Sequence, residues 1–180
     1  MELATLLKQK RKAILGQWFQ LVIETYPRAT SDLLAKQQDQ FSNPVGHASA
    51  ESLARVYDQI QSSMDTGELM DALDGIIRIR SIQDFTPSEA VGFIFDLKTV
   101  IRGVVDAEGR GGDALNELAS LDSKIDRVAL LAFEKYMTCR EKLHAIRNSE
   151  IKKKMVELSH RKNAGASASA EEMLSICDEA

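Results

Sequence analysis

Apolar residues recur at steps of three and four through Leu3, Leu6, Leu7, Ile14, Trp18, Leu21 and Val22. This spacing predicts an amphipathic helix that runs to Tyr26, where Pro27 stops it. A short second helix is expected at about 30–40. Asn43-Pro44-Val45-Gly46 reads as a turn, because Pro44 fixes one backbone dihedral and Gly46 permits an unusual one. Ser49 is placed to cap a third helix with the stripe Leu53, Val56, Tyr57, Ile60 and Met64. A fourth helix carries Leu69, Met70, Leu73, Ile76 and Ile77.

The block 76–98, IIRIRSIQDFTPSEAVGFIFDLK, joins that helix to the next. Thr86 is a cap, Pro87 suits the first helical position, and Glu89 three residues after the cap completes a capping box. Ala90, Val91, Phe93, Ile94, Phe95, Leu97, Val100, Ile101, Val104 and Val105 then cover most of the circumference, the mark of a helix in the centre of a globule. Gly109-Arg110-Gly111-Gly112 breaks the chain. From Asp113 to about Asn163 no proline or glycine follows. A helix of about fifty residues spans roughly 75 Å, so its second half is expected to leave the globule or fold back on it. Its stripe thins beyond Lys135, and the step from Ile146 to Ile151 interrupts any heptad. The run AGASASA at 164–170 reads as a linker, followed by an acidic tail. The expectation is an all-α bundle of about six helices with a long C-terminal helix: a helical domain at 1–145, a basic helical stem at 146–163 and a flexible acidic tail at 164–180.

Charge narrows the choice of partner. The net charge of −4 gives no global field for nucleic acid. Residues 122–162 carry eleven basic against six acidic side chains, but no interleaved aromatics for stacking bases, so a solvated helix face is expected. Lys8, Lys10, Arg11 and Lys12 interrupt any signal-peptide core, and no run approaches the roughly 20 apolar residues of a membrane span. Cys139 and Cys177 have no partner spacing, which fits free thiols in a cytoplasmic protein.

Catalytic and metal chemistry find no support. His144 and His160 lie too far apart on one helix to share an ion, and Glu141-Lys142-Leu143-His144 is a single copy of a motif that works in pairs. There is no nucleophile elbow, and the glycine run at 109–112 lacks the flanking strand and Lys-Ser/Thr of a phosphate loop. The chain is expected to be no enzyme and to hold no metal or cofactor. The polar residues of interest adjoin the core block. Arg78 and Arg80 alternate with Ile77, Ile79 and Ile82, so at least one guanidinium should be partly buried and need an acceptor. Asp74 precedes Arg78 by four residues and Asp84 follows Arg80 by four, both at helical pairing distance. Asp96 shares a narrow stripe with Gly92, Thr99 and Gly103, where another backbone can approach. These groups form either a structural ion-pair network or a pocket for an anionic ligand.

The turn at 43–46 and the run Ile79, Arg80, Gln83, Asp84, Phe85, Thr86, Pro87, Ser88, Ala90, Val91 and Phe93 resemble the RsbRD N-terminal domain family over roughly residues 5–150. The resemblance implies a non-haem globin-like, dimeric input domain of the kind found in bacterial stressosome co-antagonists and ahead of some histidine kinases. Such domains pass a signal through a long C-terminal helix to an output domain. No phosphorylatable or kinase output follows here, so a stand-alone regulatory protein is expected, working as a homodimer with a protein partner the sequence does not name. Arg78, Arg80, Gln83, Asp84 and Asp96 are its candidate ligand- or partner-binding residues; Pro44, Gly46, Thr86, Pro87 and Glu89 are structural. Two other readings stand beside this one. One is a haem- or small-ligand-binding globin-like protein with His47 and His144 as axial ligands. The other is an adaptor for an electron-transfer complex of sulphur metabolism, suggested by stand-alone copies of similar domains in sulphate-reducing bacteria.

Overall fold

The computed structural model describes residues 2–36, 43–83, 85–109 and 114–178. They form α1 (Leu3–Gln9), α2 (Arg11–Glu24), α3 (Arg28–Lys36), α4 (Pro44–Gln61), α5 (Thr66–Ile82), α6 (Pro87–Ala107) and α7 (Leu115–Asp178), with no strand among the described residues. The all-α class and the long C-terminal helix are as the periodicity requires. The chain divides into one unit at residues 1–140 and another at 141–180. The second unit is the distal part of α7, where Ile146, Ile151, Met155, Val156 and Leu158 are exposed. The small-residue run at 164–170, read above as a linker, lies within the bounds of α7. Alanine is the strongest helix former, so such a run suits either state. No described helix is long and apolar enough to cross a membrane.

Two boundaries differ from expectation. The first predicted helix is two: Lys10, with φ −91° and ψ 5°, ends α1 and begins α2. Both pieces keep their apolar residues inward, so the spacing alone carried no sign of the break. The third helix begins at Pro44, and its cap is Asn43 rather than Ser49. The Asn43 Oδ1 accepts from the Gly46 amide at 2.8 Å, and its Nδ2 donates to the Leu34 carbonyl at 2.9 Å. Gly46 is needed there, since a Cβ would sit 2.1 Å from the Asn43 amide nitrogen. Pro44 takes the first helical position, where a missing N–H costs nothing. Ser49 is buried inside the helix instead.

The start of α6 is as predicted. The Glu89 amide donates to Thr86 Oγ1 at 3.4 Å, while the Thr86 amide donates to Glu89 Oε2 at 2.9 Å, closing a capping box. From this cap α6 runs through the core of the first unit, burying Ala90, Val91, Phe93, Ile94, Leu97, Val100, Ile101 and Val105. Val104 is only partly buried, and Phe95 is 46% exposed. Trp18 of α2 is fully buried, and its indole N–H donates to the Phe93 carbonyl at 2.7 Å. Tyr57 of α4 is likewise buried, its hydroxyl donating to the Leu7 carbonyl at 3.0 Å. Each of these bonds satisfies a buried donor while its ring fills the core.

Candidate functional site

Arg80 occupies the last turn of α5, on the face that also buries Ile76 and Ile77. Its neighbour Arg78, two positions earlier, is on the solvent side and reaches Asp74 at 3.6 Å. The helix thus separates the two arginines: Arg80 is fully buried, and Arg78 is largely exposed. Asp74 also pairs with Lys135 of α7 at 2.6 Å. Burial pushes the Asp74 carboxyl up, but Lys135 and Arg78 together hold it below the ordinary carboxylate value.

No carboxylate meets Arg80 among the described residues. Its Nη2 donates to Thr25 Oγ1 at 2.9 Å and to the Glu89 carbonyl at 3.0 Å. Its Nε and Nη1 are buried without an acceptor. The guanidinium lies among rings instead, 4.2 Å from the Phe85 centroid, 5.3 Å from Phe93 and 5.4 Å from Tyr26. Each ring face attracts the cation, by up to about 2 kcal/mol when desolvated. That stabilisation does not replace hydrogen bonds to the remaining donors. Burial lowers the Arg80 pKa, with Tyr26, Asp96 and Glu89 opposing the shift. Burial likewise raises the Tyr26 phenol, and the charge of Arg80 and its approach to the hydroxyl pull it back, although no hydrogen bond of normal geometry joins the two. Tyr26 and Phe85 meet edge-on at 5.2 Å.

Of the five predicted site residues, the structure sets Arg80 at the centre and Asp96 within its electrostatic reach. Burial pushes the half-buried Asp96 carboxyl up, and Arg80 pulls it back. Gln83 ends α5, with its side-chain oxygen buried and unpaired. Arg78 belongs to a separate surface pair. Asp84 lies outside the described residues. The stripe at Gly92 and Gly103 meets no other backbone, since a Cβ at either would have nothing within 4 Å. Spacing gave no hint of Thr25, Tyr26 or Phe85, which reach Arg80 only through tertiary packing. Nor did it mark the two ties from α7 to this turn: the Tyr136 hydroxyl donates to the Phe85 carbonyl at 3.2 Å, and Arg140 Nη1 to the Ser81 carbonyl at 3.1 Å.

His47, expected in a turn, lies in the first turn of α4, and His144 belongs to the second unit. No three His, Cys, Asp or Glu side chains among the described residues are grouped to hold a metal ion. Cys139 is a half-buried free thiol. A buried cation with unused donors, ringed by aromatics, can recognise an acceptor-rich anion but offers no nucleophile or proton relay.

A family model described as RsbT co-antagonist protein rsbRD N-terminal domain matches residues 12–151. No curated protein and no solved structure matches the chain.

Proposed function

This chain belongs to the RsbT co-antagonist protein rsbRD N-terminal domain family, and from that premise we propose that it is a non-catalytic, cytoplasmic signal-input protein that acts by binding other proteins. The observation that carries the reading is the fully buried Arg80, with Nε and Nη1 unpaired. A buried charge without partners costs stability, and an apolar side chain in the same space would not. Such a group is understandable as a receptor for an anionic ligand or for a carboxylate of a partner. Gln83 and Asp96 complete the proposed site.

The signal has a short route to α7 within the first unit. Arg80 holds the first turn of α6 through the Glu89 carbonyl, and the adjoining turn is held by Tyr136 and Arg140. A homodimer is part of the same proposal. On α7, Leu130, Phe133 and Met137 form one exposed stripe at steps of three and four, 71%, 45% and 39% exposed. Lys98–Asp126 and Arg102–Asp122 pairs lash α6 beside it, one turn from the exposed Phe95. That is an apolar face of the kind a second copy covers.

Thermal melts of wild type and Arg80→Met in acetate, nitrate and sulfate test the site. A saturable rise in Tm with one of these anions, absent in the variant, supports it. Identical salt responses in the two proteins overturn it. Light scattering of Leu130→Asp tests the dimer independently: wild type should run at twice the mass of the variant.

A further inference from the structure

A cavity of about 370 Å³ opens between α2, α3 and α4. Leu15, Phe19, Leu34, Ala50 and Leu53 supply its apolar walls, with the backbones of Gly16 and Gly46, and His47 is the one ionisable side chain among the described residues that line it. The volume lies in the range of roughly 300–1,000 Å³ that small-molecule sites occupy, and an apolar lining with one polar group is their usual composition. The His47 ring makes no hydrogen bond among the described residues.

Gly16 adds a second observation. It sits inside α2, where glycine costs about 0.5–1 kcal/mol relative to alanine. Packing does not require it, because a Cβ there would meet nothing within 4 Å. Its backbone is helical, so no unusual dihedral requires it either. Gly16 is exposed and borders both this cavity and a second hollow between α2 and α6, and a glycine there leaves both walls open. Gly46, on the opposite wall, is explained by the Asn43 cap; Gly16 has no such explanation.

We propose that this cavity binds a compact, mostly apolar molecule bearing one hydrogen-bonding group, of the phenol or indole kind, with the polar group on His47. The ring or hydrocarbon is buried against Phe19, Leu34 and Leu53. Phe19 and Leu34 belong to the same apolar cluster as Tyr26 and Phe85, the rings beside Arg80. The inference goes beyond the Arg80 reading and does not depend on it.

Phenol, indole and toluene, titrated into the full chain, test it by the ring proton and carbon signals of His47, with His144 and His160 as internal controls. Phenol should shift the His47 signals saturably in the millimolar range and leave the other two unmoved. It should bind about fivefold more tightly than toluene, the worth of one hydrogen bond. His47→Leu should erase that preference while toluene still binds. Gly16→Leu should abolish binding of all three; it places a better helix former in α2, so the fold is expected to hold, and Ala50→Leu repeats the test from the facing helix. No saturable shift at His47, or unchanged binding in both filling variants, overturns the proposal.

Discussion

Two polar-headed side chains are buried against the same ring, and they are finished to different degrees. Trp18 stacks on Phe93 with centroids 6.3 Å apart, and its only donor is used by the Phe93 carbonyl. Arg80 lies 5.3 Å from the same ring, equally buried, with two of its three nitrogens unpaired. The Trp18 side behaves as a core, where every contact contributes to stability. The Arg80 side behaves as a site, where a costly group is held ready. Departures from local consistency of this kind concentrate where proteins bind something.

The comparison can be broken most easily from the tryptophan. Trp18→Ala should cost about 3–5 kcal/mol in urea unfolding, by lost burial and the cavity left behind. A loss under about 1 kcal/mol would show that this side is no better packed than the other. Arg80→Met should act in the opposite direction and raise stability by about 1 kcal/mol, the low end of what apolar replacement of buried charge yields. The low end is expected because two good hydrogen bonds go with it. If Arg80→Met instead costs 3 kcal/mol or more, the arginine is as structural as Trp18.

A third substitution sharpens the boundary between the two sides. Thr86→Ala removes the cap of α6 and should lower stability by about 1 kcal/mol. The cap adjoins the Glu89 carbonyl that Arg80 holds, so the same variant should weaken any anion response seen with wild type. Loss of stability with an intact anion response would separate the cap from the site.

Much of this was legible in the chain. Thr86, Pro87 and Glu89 specify the start of α6 by chemistry local to four residues, and the capping box forms as the spacing requires. The alternation of arginine with isoleucine predicted at least one partly buried guanidinium. It could not say which, because the choice depends on how α5 is rotated against α2 and α6. Ser49 carried a capping signal as good as that of Asn43. What decided between them was the Asn43 bond to the Leu34 carbonyl, nine residues away on another helix. The cluster of Tyr26, Phe85 and Phe93 around Arg80 spans three segments of chain, and no periodicity within one helix reports it. Chemistry that closes within one turn was readable; chemistry assembled by packing was not.

The smallest expected effect is a difference in sign between two aspartates on either side of this boundary. Asp74, although burial opposes it, is held below the ordinary value of about 3.9 by Lys135 and Arg78. Its folded pKa is depressed, so its contribution is present above that ordinary value and is lost as pH falls through the folded one. Asp74→Asn should therefore lower stability at pH 7 by up to about 1 kcal/mol, a cost that fades below about pH 4. Asp96 runs the other way: burial raises its carboxyl, and Arg80 only partly compensates. Folding disfavours its charged form, so Asp96→Asn should raise stability at pH 7, by less than about 1 kcal/mol given its partial exposure. That gain should shrink as pH falls through the raised pKa. Melts of the three proteins from pH 7 down to pH 3 read both trends. If Asp96→Asn destabilises at pH 7, Asp96 and Arg80 stabilise one another as a pair. Arg80 would then be a satisfied member of the core like Trp18, and the contrast around Phe93 would disappear.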